Sequence, residues 1–316
     1  MRTMYFVLGA EMARNVPVLR RMPVTRAFAV VCVIALIYGQ ENPVTTFRTE
    51  SNLVSLNVSV FDKDGQIVKG LPQSAFAVYE DGQKQDIKVF REEDVPISLG
   101  LVIDASASMF NKRDRVNSAA VAMVKASNPD DEVFVITFNE TALIAQDFTS
   151  NVKQLESSLR KVESKGETAM RDALVLGLDH LRSHSKKDKK VLLVITDGED
   201  NSSIEKQEHL IRAAHLTNVI IYGIGILGSE QPASAARAKA QLDALTLATG
   251  GRSWFPNDVA ETEKITPQIA HEIRNQYVIG YTPPNPANGS FRSIRVEVNV
   301  PNVTVRTRSG YYARGG

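Results

Sequence analysis

Cysteine is nearly absent from this chain: Cys32 is the single one in 316 residues. One thiol makes neither an internal disulfide nor a cysteine zinc site, so the stability has to come from a hydrophobic core. Charge of one sign is lacking as well. The formal net charge of +1 excludes bulk electrostatic attraction to nucleic acid or to an acidic membrane. No apolar run reaches the roughly 20 residues of a spanning helix. No G-x-S-x-G nucleophile motif occurs either. Gly223, Gly225 and Gly228 hint at a phosphate loop, but no helix start or Lys-Ser/Thr follows, and they read as glycines of chain turns. His180 and His184 have i,i+4 spacing without the glutamate of a zinc-protease helix and read as surface histidines. What remains is an ordinary globular composition, 43% hydrophobic and 23% charged, with room for one large domain or two modest ones.

The N-terminal stretch differs from the rest. Arg20, Arg21 and Arg26 precede the apolar run 27–38 (AFAVVCVIALIY), which Gly39, Gln40, Glu41 and Asn42 break. A basic start, a short apolar core and a polar exit read as a secretory signal over 1–40, with a retained N-terminal anchor as the alternative. Met12 and Met22 both precede the run, so a later start is compatible with it. Removal of 1–40 takes out five basic residues and one acidic one, moving the formal charge from +1 to −3. Cys32 would leave too; its valine neighbours do not resemble a lipoprotein cleavage box. The expected location is secreted or periplasmic, with membrane contact only through an uncleaved N-terminal segment.

Residues 52–61 (NLVSLNVSVF) set Leu53, Ser55, Asn57, Ser59 and Phe61 on one face against Val54, Leu56, Val58 and Val60 on the other and predict a half-buried strand, turned back at Asp62–Gly65. Short strands around 76–79 and 87–90, separated by Glu80-Asp81-Gly82, complete an N-terminal β segment over 50–92. Asp62 and Asp64 lack the later acidic positions of a calcium loop and read as turn residues. From Ile97 the texture changes. Apolar strands at 97–103, 133–138, 191–195 and 219–222 alternate with helices over about 113–126, 204–216, 233–248 and 258–274, and with further helices around Leu155 and Leu174. Ala142–Ala145 reads as an antiparallel edge and Lys186–Lys190 as a solvated loop. The pattern predicts an α/β domain over 95–275: a doubly wound, mostly parallel, Rossmann-like sheet with helices on both faces. After Asn275 strands return at 277–281, 294–300 and 303–308. Neither β piece is large enough for a core alone. The 50–92 and 276–316 segments are therefore expected to pair as one small antiparallel unit with the α/β domain inserted in it.

The chemistry-bearing stretch is 97–109, ISLGLVIDASASM. A strand with the look of burial on both faces ends abruptly in Asp104, Ser106 and Ser108, all hard oxygen donors suited to Mg²⁺ or Mn²⁺. Thr168 stands in KGETAMRD at a loop before a helix, and Asp197 in ITDGED at the end of the third parallel strand. If the first and third parallel strands are neighbours with their helices on opposite faces, both aspartates reach the switch-point crevice where open α/β sheets bind ligands. Taken singly, Ser106 and Ser108 are ordinary helix-entry residues and Asp197 a turn former. Together, the five read as a metal site.

The set Asp104-x-Ser106-x-Ser108, Thr168 with the helical Asp172, and Thr196-Asp197-Gly198 resembles the metal-ion-dependent adhesion site of the von Willebrand factor A domain family. Asn139 and Thr249-Gly250-Gly251 also fit, and the resemblance covers about 95–275. FAVYEDGQKQDIKVF, QYVIGYTPP and RTRSGYYA resemble the secreted bacterial subgroup of that family. Glu167 and Ala107 depart from the family's usual glycines. The resemblance implies a site for Mg²⁺ or Mn²⁺ in which the serines and the threonine coordinate directly or through water and the aspartates act mostly through water. A protein partner then completes the shell with an Asp or Glu carboxylate. The implied function is a secreted or periplasmic binding and adhesion module without catalysis and without nucleic-acid binding. Two alternatives stand beside it. One is a metal-dependent hydrolase, for which Glu167, Glu199 or Asp200 would have to supply the base. The other is a scaffold that binds through its β unit without metal.

Overall fold

The computed structural model describes residues 53–92, 94–228 and 231–314; the expected signal over 1–40 lies outside them. The alternating N-terminal sequence forms β1 (Val54–Phe61), β2 (Phe76–Glu80), β3 (Gln83–Gln85) and β4 (Ile87–Glu92). Asp62 Oδ1 accepts the amides of Asp64 and Gln66 at 2.9 and 2.8 Å, closing the turn after β1 in which Gly65 takes a φ of 76°. Strand β3 has no apolar signature. It exists because Asp81 and Gly82, both at positive φ, fold it back onto β2 as a two-residue hairpin.

The α/β domain follows in the order β5 (Ile97–Asp104), α1 (Arg113–Lys125), β6 (Glu132–Phe138), β7 (Ala142–Thr149), α2 (Val152–Arg160), α3 (Met170–His184), β8 (Lys189–Thr196), α4 (Gln207–Thr217), β9 (Val219–Gly225), α5 (Pro232–Thr249), β10 (Ser253–Trp254) and α6 (Thr262–Arg274). Its six-stranded sheet runs β10-β9-β8-β5-β6-β7, parallel except for the antiparallel edge strand β7. Alternation along the central strands sorts the core into two layers. Leu99, Leu101 and Ile103 face α1, α2 and α6 with Leu193 and Ile195. Val102, Leu192 and Val194 face α3, α4 and α5. Gly100 leaves room on the second face, where a Cβ would lie 2.4 Å from the Phe134 ring. Asn218 and Gly250, both left-handed, end α4 and α5.

The chain closes with β11 (Tyr277–Tyr281), β12 (Phe291–Val298), β13 (Thr304–Arg306) and β14 (Gly310–Tyr312). Both ends of the chain contribute to each of two four-stranded antiparallel sheets, ordered β13-β1-β11-β4 and β14-β12-β2-β3. Leu56 pairs with Ile279, and Val78 with Val296. The sheets share one apolar core that includes Leu56, Val58, Phe76, Val78, Tyr277, Ile279 and Tyr281. Inside it Arg292 and Glu80 form a buried ion pair at 3.0 Å, and the hydroxyls of Tyr281 and Tyr311 donate to Glu80 Oε2 at 2.6 and 2.9 Å. Where the chain leaves and re-enters this unit, Arg274 Nε and Nη2 clamp the Asp94 carboxylate at 3.0 and 2.5 Å.

Several local readings change in the folded chain. The Lys186–Lys190 run is not all loop: Lys189 and Lys190 begin β8, and Lys189 is buried, its ammonium donating to the Ile273 carbonyl at the end of α6. Burial pushes that ammonium down to about 7. His180 is not a surface residue. It is buried against Phe134 and Phe148, with Nε2 2.9 Å from Asp147 Oδ1. Gly223 and Gly225 lie within β9 rather than in turns, where Leu242 and Phe255 occupy the space of a side chain. No described helix is long and apolar enough to cross a membrane.

Candidate metal centre

Strands β5 and β8 are parallel neighbours, Ile103 opposite Ile195. The chain leaves β5 for α1 on one face of the sheet and β8 for α4 on the other. A crevice therefore opens at their carboxyl ends, and Asp104 and Asp197 flank it.

Asp104 ends β5 almost fully buried, 3% exposed. Its Oδ1 accepts the Ser106 amide at 2.8 Å and its Oδ2 the Thr196 hydroxyl at 2.6 Å. Burial pushes this carboxyl up to about 6, while the hydrogen bonds from Thr196 and Ser106 pull it down and the negative Asp197 raises it further. The Ser106 and Ser108 hydroxyls are 3.1 Å apart, and Ser108 donates to Asp197 Oδ1 at 2.8 Å. Asp197 is fully buried, and its Oδ2 receives the Lys112 ammonium at 2.5 Å.

Thr168 comes from the loop leading into α3. That loop is stitched to the Asp104–Ser108 turn by two backbone bonds, Lys165 N to Ala105 O at 2.9 Å and Ala107 N to Gly166 O at 3.1 Å. Asn139 holds it from the other side, its carbonyl accepting the Ala169 amide at 2.7 Å. The Thr168 amide donates to Asn201 Oδ1 at 2.9 Å, and its carbonyl accepts the amides of Asn201 and Ser202, both at 3.1 Å. The loops after β5, before α3 and after β8 are thus tied to one another.

The carboxylates considered for catalysis sit elsewhere in this network. Asp200 accepts the Arg171 amide at 2.7 Å and the Ser203 hydroxyl at 2.8 Å, which fixes the start of α3. Glu199 is held by Arg237 at 2.8 and 2.9 Å and by Ser234 at 3.0 Å, and this contact with Arg237 keeps its carboxyl below the usual range. Glu167 is exposed. Asp172 accepts the amides of Ile204 and Glu205 at 3.1 and 2.9 Å, which ties the start of α3 to the segment before α4.

The donors fit a hard divalent cation. The lone-pair donors that flank the crevice are hydroxyl and carboxylate oxygens, with the Lys112 ammonium set against Asp197, and thiolate or imidazole is missing from the set. Among the described residues no three His, Cys, Asp or Glu side chains gather as metal ligands, so a cation here would rest on hydroxyls braced by two carboxylates. The sequence names Thr196 within its motif without giving it a partner, and it does not single out Lys112 or Asn201. Thr196 stood beside Asp197 in the same motif and was legible as a partner once β5 and β8 were neighbours. The reach of Lys112 across the crevice has no local signature.

Residues 99–199 match the family model of the von Willebrand factor type A domain. An uncharacterized protein of Synechocystis sp. is 28% identical over 109 residues, which are 34% of this chain and 26% of that protein. The match thus spans about a quarter of the curated relative. Among solved structures, the von Willebrand factor type A protein from Catenulispora acidiphila superposes with a TM-score of 0.50 at 12% identity, over 84% of this chain and 75% of that one. An aerotolerance-related membrane protein from Bacteroides fragilis gives 0.46 at 16% identity, over 56% of this chain and 98% of that one. With the doubly wound sheet and the crevice at its carboxyl edge, the family match shows that this chain carries a von Willebrand factor type A domain.

Proposed function

We propose that the chain is an exported protein-binding module that captures its partner through a divalent cation, Mg²⁺ or Mn²⁺, held by Ser106, Ser108 and Thr168 and braced by Asp104 and Asp197. The observation that carries this reading is the pair of serine hydroxyls 3.1 Å apart, one donating to buried Asp197 and flanked by buried Asp104. A hydroxyl that donates its proton to a carboxylate keeps its lone pairs for a cation. With few direct carboxylates in the shell, a bound cation retains positive charge and attracts an Asp or Glu side chain from a partner protein. Export is supported by the basic-apolar-polar pattern of residues 1–40. A binding rather than hydrolytic role is supported by the commitment of Glu199 to Arg237 and of Asp200 to the start of α3.

Titration calorimetry with Mg²⁺ and Mn²⁺ tests the reading, on the parent beside Asp104→Ala and Thr168→Ala. Saturable binding by the parent that is lost in Asp104→Ala is the expected result. Equal binding by parent and Asp104→Ala would refute the site.

A further inference from the structure

Asp104 and Asp197 place two carboxylates in one crevice, 3% and 0% exposed. Although the direct contacts would come from hydroxyls, two carboxylate charges this close offset much of a divalent cation's charge and weaken its attraction for a third carboxylate. The structure contains an answer to this problem. The Lys112 side chain, 17% exposed, crosses from the turn before α1 to the end of β8 and sets its ammonium 2.5 Å from Asp197 Oδ2. The neighbouring cations are engaged elsewhere: Arg113 reaches the Leu159 carbonyl, Arg171 pairs with Asp200, and Lys165 pairs with Glu163.

We infer that Lys112 is the charge-balancing residue of the site, cancelling Asp197 so that a bound divalent cation keeps net positive charge for an incoming carboxylate. The inference rests on the metal-site reading above. The two buried carboxylates and the ammonium sum to one negative charge, so the loaded crevice carries one positive charge; without the ammonium it is neutral. Lys112 therefore weakens the hold on the metal alone and strengthens the hold of the loaded site on a partner's Asp or Glu. Ser108 donates to the other oxygen, Oδ1, so the ammonium does not displace the hydroxyl that would face the cation.

The experiment measures Mn²⁺ affinity of the full chain by calorimetry for the parent, Lys112→Met, Lys112→Gln and Lys112→Arg. Acetate relaxation by the Mn²⁺-loaded proteins serves as the carboxylate probe. The methionine keeps the stem and removes the charge, the glutamine guards against a packing artefact of that choice, and the arginine keeps the charge. We expect both neutral variants, relieved of one like charge beside the metal, to bind Mn²⁺ about tenfold tighter or more and to bind acetate more weakly, with Lys112→Arg close to the parent. If the parent binds Mn²⁺, Asp104→Ala does not, and the folded neutral variants bind it no tighter than the parent, the role of Lys112 is overturned while the metal site stands. Unchanged acetate binding in tighter-binding variants would overturn the partner half of the inference. If neither the parent nor any Lys112 variant binds Mn²⁺, the metal reading falls and this inference with it.

Discussion

The Thr196 hydroxyl donates to Asp104 Oδ2 at 2.6 Å, linking the last residue of β8 to the last residue of β5 inside the sheet. Asp104 thereby has one oxygen oriented by its own turn and the other by the neighbouring strand. Removing the second constraint should loosen the metal site with little change in global packing. Thr196→Val is expected to weaken Mn²⁺ binding by about ten- to a hundredfold, as losses of outer-shell partners do, and Thr196→Ser to retain it. Calorimetry on the two variants checks this.

The buried pair of Glu80 and Arg292 should behave as a unit. Arg292 also donates to the carbonyls of Asn285 at 3.1 Å and Pro286 at 2.6 Å, so it anchors the loop before β12. Glu80→Leu strands the guanidinium in an apolar core and should cost about 3–5 kcal/mol. The double change Glu80→Leu with Arg292→Leu should recover a large part of that loss. Urea unfolding of the three proteins gives the comparison.

Two glycines make opposite predictions. At Gly251 a Cβ would sit 2.0 Å from the backbone carbonyl oxygen of Ile221, which cannot move without shifting β9. Gly251→Ala should destabilise by about 2–4 kcal/mol. At Gly198, beside the crevice, a Cβ meets nothing within 4 Å. Gly198→Ala should stay within about 0.5 kcal/mol of the parent. Equal denaturation midpoints for the two variants would contradict this packing account.

Glu272 on α6 provides a pH test. Its carboxyl is buried beside Arg252 and Arg306, with Oε1 lacking a partner, and burial outweighs the two arginines and pushes it up to about 7. A raised carboxyl means that the folded chain holds the proton more tightly than the unfolded chain. Its contribution to stability is therefore fully present below the ordinary value of 4.5, falls as pH rises, and is lost above about 7. Glu272→Gln should match the parent near pH 4.5 and exceed it at pH 8, by on the order of 3 kcal/mol at most. Thermal melts at the two pH values check it, and a constant difference across them would refute it.

The α/β part was readable because its central strands are continuous apolar runs separated by helix-period segments, a texture that depends only on local order. Asp104 and Asp197 were recognisable for a related reason: Asp104 follows directly on such a run and Asp197 one residue after another, so the strand ends could be located from hydrophobicity. Strand β3, Gln83–Gln85, was not, because three polar residues become a strand only through the Asp81-Gly82 hairpin and the partner beside them. Lys189 and His180 were misplaced because their local polarity suggests solvent. In the folded chain the Ile273 carbonyl and the Asp147 carboxylate satisfy them instead.

By itself, the sequence determined the order of strands and helices, the positions of the five oxygen donors at strand and helix boundaries, and the two β segments at its ends. These are properties of residues near one another in the chain, where a period of 2 or 3.6 and a breaking residue suffice. Tertiary structure decided which strands became neighbours, and through them which donors share a crevice. It also chose the counter-charges: Lys112 for buried Asp197, Arg292 for buried Glu80 and Arg237 for half-buried Glu199. The physical reason is that desolvating a charge forces it to find a counter-charge or a hydrogen bond wherever the fold supplies one. In this chain those partners lie 85, 212 and 38 residues away.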